Sequence, residues 1–156
     1  MMTRTYRWKR ECREFSQLVE MLPAEGVERH FLTEIDRRQR MISVRWGTQM
    51  SCPKCFDHDG WWFQDFDLWE CKECGHQLSP ISGTRLHGSH LELRFWFRAT
   101  ELVIQRAGSS IPTIQVLSDQ LGVHFRSASR VRKIIIEDVE THGILTQAVC
   151  VSQSIE

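Results

Sequence analysis

No run of apolar residues in this chain approaches the roughly 20 needed to cross a bilayer as a helix, which argues against a membrane partner. The opening residues, "MMTRTYRWKRECREF", lack the apolar stretch of a secretion signal, so the expected location is cytoplasmic. Net charge is absent too: 20 Lys and Arg stand against 20 Asp and Glu, and a chain neutral overall has no general attraction for a polyanion. Low-complexity tracts are missing, and the only internal repetition is a pair of cysteine motifs. What is there is ordinary for a globular protein, 41% hydrophobic and 26% charged, which argues against wholesale disorder. The 156 residues allow one ordinary domain, or two or three small modules that each need extra stabilisation to fold. Modules suit this sequence better.

Charge is zero only in sum. From Arg85 to Lys133 the chain has Arg85, Arg94, Arg98, Arg106, Arg126, Arg130, Arg132 and Lys133 against Glu92, Glu101 and Asp119, eight against three for a net +5. Acid collects in Asp57, Asp59, Asp65, Asp67 and Glu70, and again in Glu137, Asp138 and Glu140. A basic module beside acidic ones can bind phosphate locally even in a neutral chain.

Periodicity divides the chain into a helical N-terminal segment (1–47), a small β module (48–82), a second helical module (83–140) and a short tail (141–156). In the first segment, apolar residues recur at helical intervals: Phe15, Leu18, Val19 and Leu22, then after Pro23 Val27, Phe31, Ile35, Met41 and Val44. The spacing predicts two short helices whose stripe packs on whatever follows. Two aromatic runs, Trp61 to Phe63 and Leu68 to Trp69, predict a hairpin. Helical spacing returns in "LELRFWFRATELVI", with Leu93, Trp96, Phe97, Thr100, Leu102 and Ile104 on a broad apolar face, and "AGSS" breaks it. Two more helices are predicted, over about 112–120 and 124–137, joined at Gly122. The expected fold is therefore mainly α with a small β element.

The cysteines give that element its chemistry. The arrangement Cys52-x2-Cys55-x15-Cys71-x2-Cys74 has the spacing of a four-thiolate zinc site. A two-residue gap lets one turn present both sulfurs to one ion, and the hairpin brings the second turn alongside. Zn2+ suits four soft thiolates, with an iron centre of the same geometry as the alternative. Pro53 stiffens the first turn and Gly75 permits a tight second one, whereas Phe56 stands where a glycine would be equally welcome. Redox chemistry of the thioredoxin kind uses one pair before a helix in a βαβ setting, which is not present. His58 and His76 are expected to be solvated loop residues, since four thiolates already fill a tetrahedral site. Cys12 and Cys150 receive no role.

A second pattern lies in "TIQVLSDQLGVHFRSASRVRKI". With Gly122 as the turn, Ile114, Leu117 and Leu121 face Val123, Ala128, Val131 and Ile135, and Ser118 is small enough for a close crossing. Apolar positions placed so about a glycine turn form a helix-turn-helix pattern. The second helix then exposes His124, Arg126, Ser129, Arg130 and Lys133, side chains of the kinds that reach base edges and phosphates, with arginine able to hold guanine by two hydrogen bonds. Arg94, Arg98, Arg106 and Arg132 would add phosphate contacts. The plain alternative is a helical hairpin with a solvated basic face.

The order of parts, "RWGTQMSCPKC", then "WECKECGHQLSPISGTRLHGSHLELRFWF", then two helices, resembles over about 45–133 the N-terminal region of bacterial insertion-sequence transposases that carry a zinc ribbon before a DDE catalytic domain. The resemblance implies that Cys52, Cys55, Cys71 and Cys74 ligate zinc and that double-stranded transposon-end DNA is the partner. It does not extend to catalysis. Family members place their first catalytic aspartate about where "AVCVSQSIE" has Ser152, and no length remains for the catalytic domain, so no enzyme activity is expected without carboxylates to hold metal ions. The leading expectation is a stand-alone DNA-binding protein acting at transposon ends or promoters, with a homodimer or a transposase partner left open. A DNA-binding part of a split or truncated transposase is one alternative. A protein-interaction module using Trp61, Trp62, Phe63, Phe66 and Trp69 is the other, ranked lowest because hairpin aromatics more often pack against neighbouring helices.

Overall fold

The computed structural model describes residues 17–47, 49–63, 68–106 and 110–151. Cys12, Phe15, Phe66, Ser152 and most of "AGSS" lie outside them. The elements in chain order are α1 (17–21), α2 (Val27–His30), α3 (Glu34–Trp46), β1 (Gly60–Phe63), β2 (Leu68–Cys71), β3 (Gln77–Leu78), α4 (Leu93–Arg106), α5 (Ile114–Leu121), α6 (Phe125–Thr141) and α7 (Ile144–Val149). Among the described residues the protein is thus mainly helical with a small antiparallel sheet of order β1-β2-β3; the fold class follows the sequence patterns, and β3 adds a third strand to the predicted hairpin.

Helix α4 is the axis of the helical body and packs against α2, α3, α5, α6 and α7. Every residue expected on its apolar face is buried, including Trp96 and Phe97, which are the largest fully buried side chains. The Thr100 hydroxyl tolerates burial because it donates to the Trp96 carbonyl one turn back, at 2.7 Å. Three departures from the sequence pattern have local causes. The N-terminal stripe forms three helical pieces instead of two, because Thr33 starts α3 with a capping box: its Oγ1 accepts from Asp36 N, and the Asp36 carboxylate accepts from Thr33 N. Val19 and Ile35, counted in that stripe, are exposed. In the stretch expected to be an uninformative tail, Leu145, Thr146, Ala148, Val149 and Cys150 are buried in the helical core. Burial pushes the Cys150 thiol up to about 11, against a smaller opposing pull from Arg40.

Two separate clusters of buried side chains result. The larger joins α1, α2 and α4–α7; the smaller consists of Met50, Cys52, Trp69, Cys71 and Leu78 in the ribbon. Helix α3 belongs to both: Met41 and Val44 pack on the helical core, and Ile42 and Trp46, on the far side of the helix, pack on the ribbon.

Side chains from other elements close the helix ends, where backbone groups lack intrahelical partners. Glu34 accepts from the first amides of α4, Leu93 N at 3.1 Å and Arg94 N at 3.0 Å. Asp138 accepts from Leu145 N and Thr146 N at the start of α7. Arg40 donates to the carbonyls of Gln147, Ala148 and Cys150 at its end. Each charge has the sign that the helix dipole favours at that end.

Candidate functional site

The ribbon begins as the chain leaves α3. β1 and β2 pair with Gly60 opposite Cys71, Trp61 opposite Glu70 and Trp62 opposite Trp69. This register puts Gly60, Trp62, Trp69 and Cys71 on one face. The Trp69 ring lies directly over Gly60, where a β-carbon would sit 2.3 Å from it. A glycine at the head of β1 is what allows the ring to stay buried. Arg45 of α3 then fixes the exit of the ribbon, donating to the carbonyls of Ser79, Pro80 and Ser82 while stacking on Trp46 at 4.2 Å. Nothing in the sequence marks that role, because Arg45 and its partners are 34 to 37 positions apart.

Both cysteine pairs sit on turns of the same construction. Phe56 N donates to Cys52 O and Gly75 N to Cys71 O, each at 2.9 Å; Cys52 N donates to Asp57 O at 2.8 Å and Cys71 N to His76 O at 2.9 Å. The four sulfurs all lie within 4.8 Å of one another. Cys52 and Cys74 are 3.5 Å apart, and Cys55 and Cys71 are 3.4 Å apart. A tetrahedron with metal–sulfur bonds of about 2.3 Å has edges of about 3.8 Å, so these two edges need only lengthen slightly to hold one ion. Cys52 and Cys71 are buried, and Cys55 and Cys74 are exposed.

Protonation fits the same reading. Desolvation works to raise the Cys52 thiol, but backbone hydrogen bonds from Cys55 and Lys54 and the Cys74 sulfur outweigh it, bringing the thiol down to about 6. A backbone hydrogen bond from Asp57 pulls the Cys55 thiol down, yet the Cys71 sulfur, desolvation and the Cys74 and Cys52 sulfurs together push it up to about 12. The Cys74 thiol is raised although a backbone hydrogen bond from His76 works against the rise. Four sulfurs this close cannot all ionise unless a cation is among them. His58 and His76 are not in the cluster; His58 Nδ1 lies 3.2 Å from Met50 O.

One asymmetry between the turns yields a prediction. Gly75 has φ 73° and Phe56, its counterpart, has φ 65° with its ring 77% exposed. A bulky residue in the left-handed region costs about 1–2 kcal/mol, and a glycine there forfeits about 0.5–1 kcal/mol through the unfolded chain. Phe56→Gly should therefore stabilise the ribbon by about 0.5–1 kcal/mol. Gly75→Ala should destabilise it by about 1 kcal/mol, since only the Glu70 carboxylate approaches, at 3.8 Å. Competition with a metal chelator, measured for both variants beside the parent, checks the two signs.

The second candidate region is the surface of α6. Gly122, with φ 67°, ends α5. Gly122 N and Val123 N both donate to Ser118 O, and the Ser118 hydroxyl donates to Val123 O at 2.7 Å. Leu117, Leu121, Ala128, Val131 and Ile135 are buried between the helices, with Ile114 and Val123 half-buried beside them. His124, Arg126, Arg130 and Lys133 are exposed and Ser129 is half-buried. His124 caps α6, its Nδ1 accepting from Arg126 N at 3.2 Å. Two arginines expected to touch phosphate also have partners within the protein: Arg132 Nε donates to Pro112 O at 2.7 Å, and Arg98 pairs with Glu101. The expectation that the hairpin aromatics pack inward holds for Trp69, which is buried, and not for Trp61, Trp62 and Phe63, which are exposed.

No helix among the described residues is long and apolar enough to cross a membrane. Residues 32–77 match the family model of a transposase zinc-ribbon domain. The matched stretch takes in α3 together with both cysteine turns and ends at β3, so its extent follows the packing unit in which α3 supports the ribbon. No curated protein and no solved structure matches the chain.

Proposed function

We propose that this protein is a zinc-dependent reader of double-stranded DNA, in which the ribbon holds one Zn2+ through Cys52, Cys55, Cys71 and Cys74 and the pair α5–α6 is a helix-turn-helix. The observation that carries the DNA reading is the solvent face of α6, where Arg126, Arg130 and Lys133 stand exposed together behind the His124 cap. Successive turns of one helix bring residues 126, 130 and 133 to one side, the spacing needed for a helix lying in the major groove. The match to a transposase zinc-ribbon domain supports transposon ends as the DNA concerned. The zinc is structural: four thiolates complete its coordination and leave no position for a substrate.

Selection from a random duplex pool tests this without a prior target. The zinc-loaded parent is expected to enrich a defined motif, and Arg126→Ala with Arg130→Ala to lose it. On the selected duplex the double substitution should weaken binding by about 1–3 kcal/mol for each base-reading arginine. If one of the two meets phosphate instead, the slope of affinity against salt falls by about one. Retained enrichment by the doubly substituted chain would remove α6 as the reading element.

A further inference from the structure

Strand β1 forms the border of the sheet. β2 pairs with one of its edges, and among the described residues nothing pairs with the other. An open edge offers main-chain donors and acceptors to any extended chain, and proteins ordinarily protect it with a charge, a proline or a bulge. Gly60–Phe63 reads Gly-Trp-Trp-Phe and has no charge and no proline. Its aromatic side chains are only partly covered: Trp61, Trp62 and Phe63 are 52%, 40% and 41% exposed.

Charge decides what covers such a strand. Positions 49–82 have two lysines against six acidic residues, the opposite balance to the Arg85–Lys133 stretch. On one face of the sheet Glu70 lies directly opposite Trp61, and the Lys72 ammonium sits 5.7 Å from the Trp61 ring centre, so this ring already accepts a cation. On the other face Trp62 lines a groove of about 330 Å³ with Ile35, Ile42 and Pro80, and Arg38 stands at its border. The first face attracts arginine or lysine through ring and carboxylate together, and the second accepts apolar side chains. A phosphate backbone meets repulsion from the surrounding acids, and a second copy of the chain would set one acidic ribbon against another.

We infer that the free edge of β1 takes an extended, basic segment of a partner protein as a fourth strand, with alternate basic side chains over Trp61 beside Glu70 and the intervening apolar ones against Trp62. Alternation is required because successive side chains of a strand point to opposite faces. The inference stands independently of the DNA reading of α6.

The test uses the zinc-loaded full chain and short peptides: one of alternating arginine and valine, one with the same residues in two blocks, and one with glutamate in place of arginine. Titration calorimetry gives affinities, and the amide signals of residues 60–63 report where each probe sits. The alternating peptide should bind at least about tenfold more tightly than either of the others and shift those amides. Trp61→Lys combined with Phe63→Lys should abolish the preference, with unchanged zinc stoichiometry showing that the ribbon still folds. Glu70→Gln, which leaves the aromatic side chains in place, should reduce the preference for arginine over glutamate. Equal binding of the alternating and block peptides would overturn the inference. So would shifts of the same amides by a mixed-sequence DNA duplex, or pairing of β1 between two copies at the concentrations used.

Discussion

Stripping the metal with a chelator, or replacing Cys71 with alanine, will unfold the ribbon over about 49–82 and leave the helical body folded. The ribbon core is small: apart from Cys52 and Cys71 it consists of Met50, Trp69 and Leu78. Such side chains contribute about 1.5–3 kcal/mol each when fully buried, whereas a structural zinc in a peptide of this size contributes about 10–16 kcal/mol. Metal loss therefore removes the larger part of what holds these residues, and leaves four close thiols whose ionisation is mutually opposed. The helical body keeps the much larger cluster built around Trp96, Phe97 and Ile104. Hydrogen exchange of the zinc-loaded and chelated chains separates the two regions. The amides of Cys52, Phe56, Cys71 and Gly75, which close the cysteine turns, should lose protection, and those of α4 and α6 should keep it. Loss of protection in all of them at one chelator concentration would show that α3 couples the two cores into one cooperative unit.

The second large effect is expected at Glu101, a carboxylate 2% exposed in the middle of α4. It accepts from Val27 N at 2.8 Å, at the start of α2, and pairs with the Arg98 guanidinium. This one side chain satisfies an amide of a helix 74 positions away and neutralises a half-buried cation on its own. Glu101→Ala removes both partners at once and should cost about 3–5 kcal/mol, the range seen when one member of a buried pair is deleted. Glu101→Gln keeps an acceptor for Val27 N and should cost about half as much, since Arg98 is exposed enough to find water. Urea unfolding of the zinc-loaded variants measures both. A cost below about 1 kcal/mol for the alanine variant would mean that α2 is held by Val27 and Phe31 packing alone. The Arg98→Ala variant then distinguishes loss of the ion pair from loss of the cap.

These two sites show where sequence reasoning reaches and where it stops. The cysteine cage was readable because a two-residue gap fixes a turn and two such turns fix a tetrahedral ligand set. The α5–α6 pair was readable because the glycine turn and the apolar spacing on both sides are local. Its extent was underestimated: α6 runs on to Thr141, ended by His142 in the left-handed conformation, with φ 51°. Glu101, in contrast, looks like one more charge on an amphipathic helix. Arg45 and Arg40 look like surface cations on the basic side of α3, and Arg132 like a phosphate contact. The exposure of Trp61, Trp62 and Phe63 was hidden for the converse reason. Aromatic residues in a short strand predict burial, and only the tertiary structure shows that Trp69 is covered while Trp62, on the same face, stays partly exposed in the groove beside α3.

What the sequence by itself determined is therefore the set of short-range features: helix periodicity, the turn at Gly122 and a four-cysteine cage with the spacing of a zinc site. Each depends on residues within a few positions of one another, or on two such local turns joined by one hairpin. What only the tertiary structure decided is how these parts are joined: α3 shared between two cores, distant charges closing the ends of α2, α4 and α7, α7 buried, and β1 left without a second partner strand among the described residues. Those outcomes depend on pairs separated by tens of residues, where hydrogen bonds and burial act through space and leave no periodic trace along the chain.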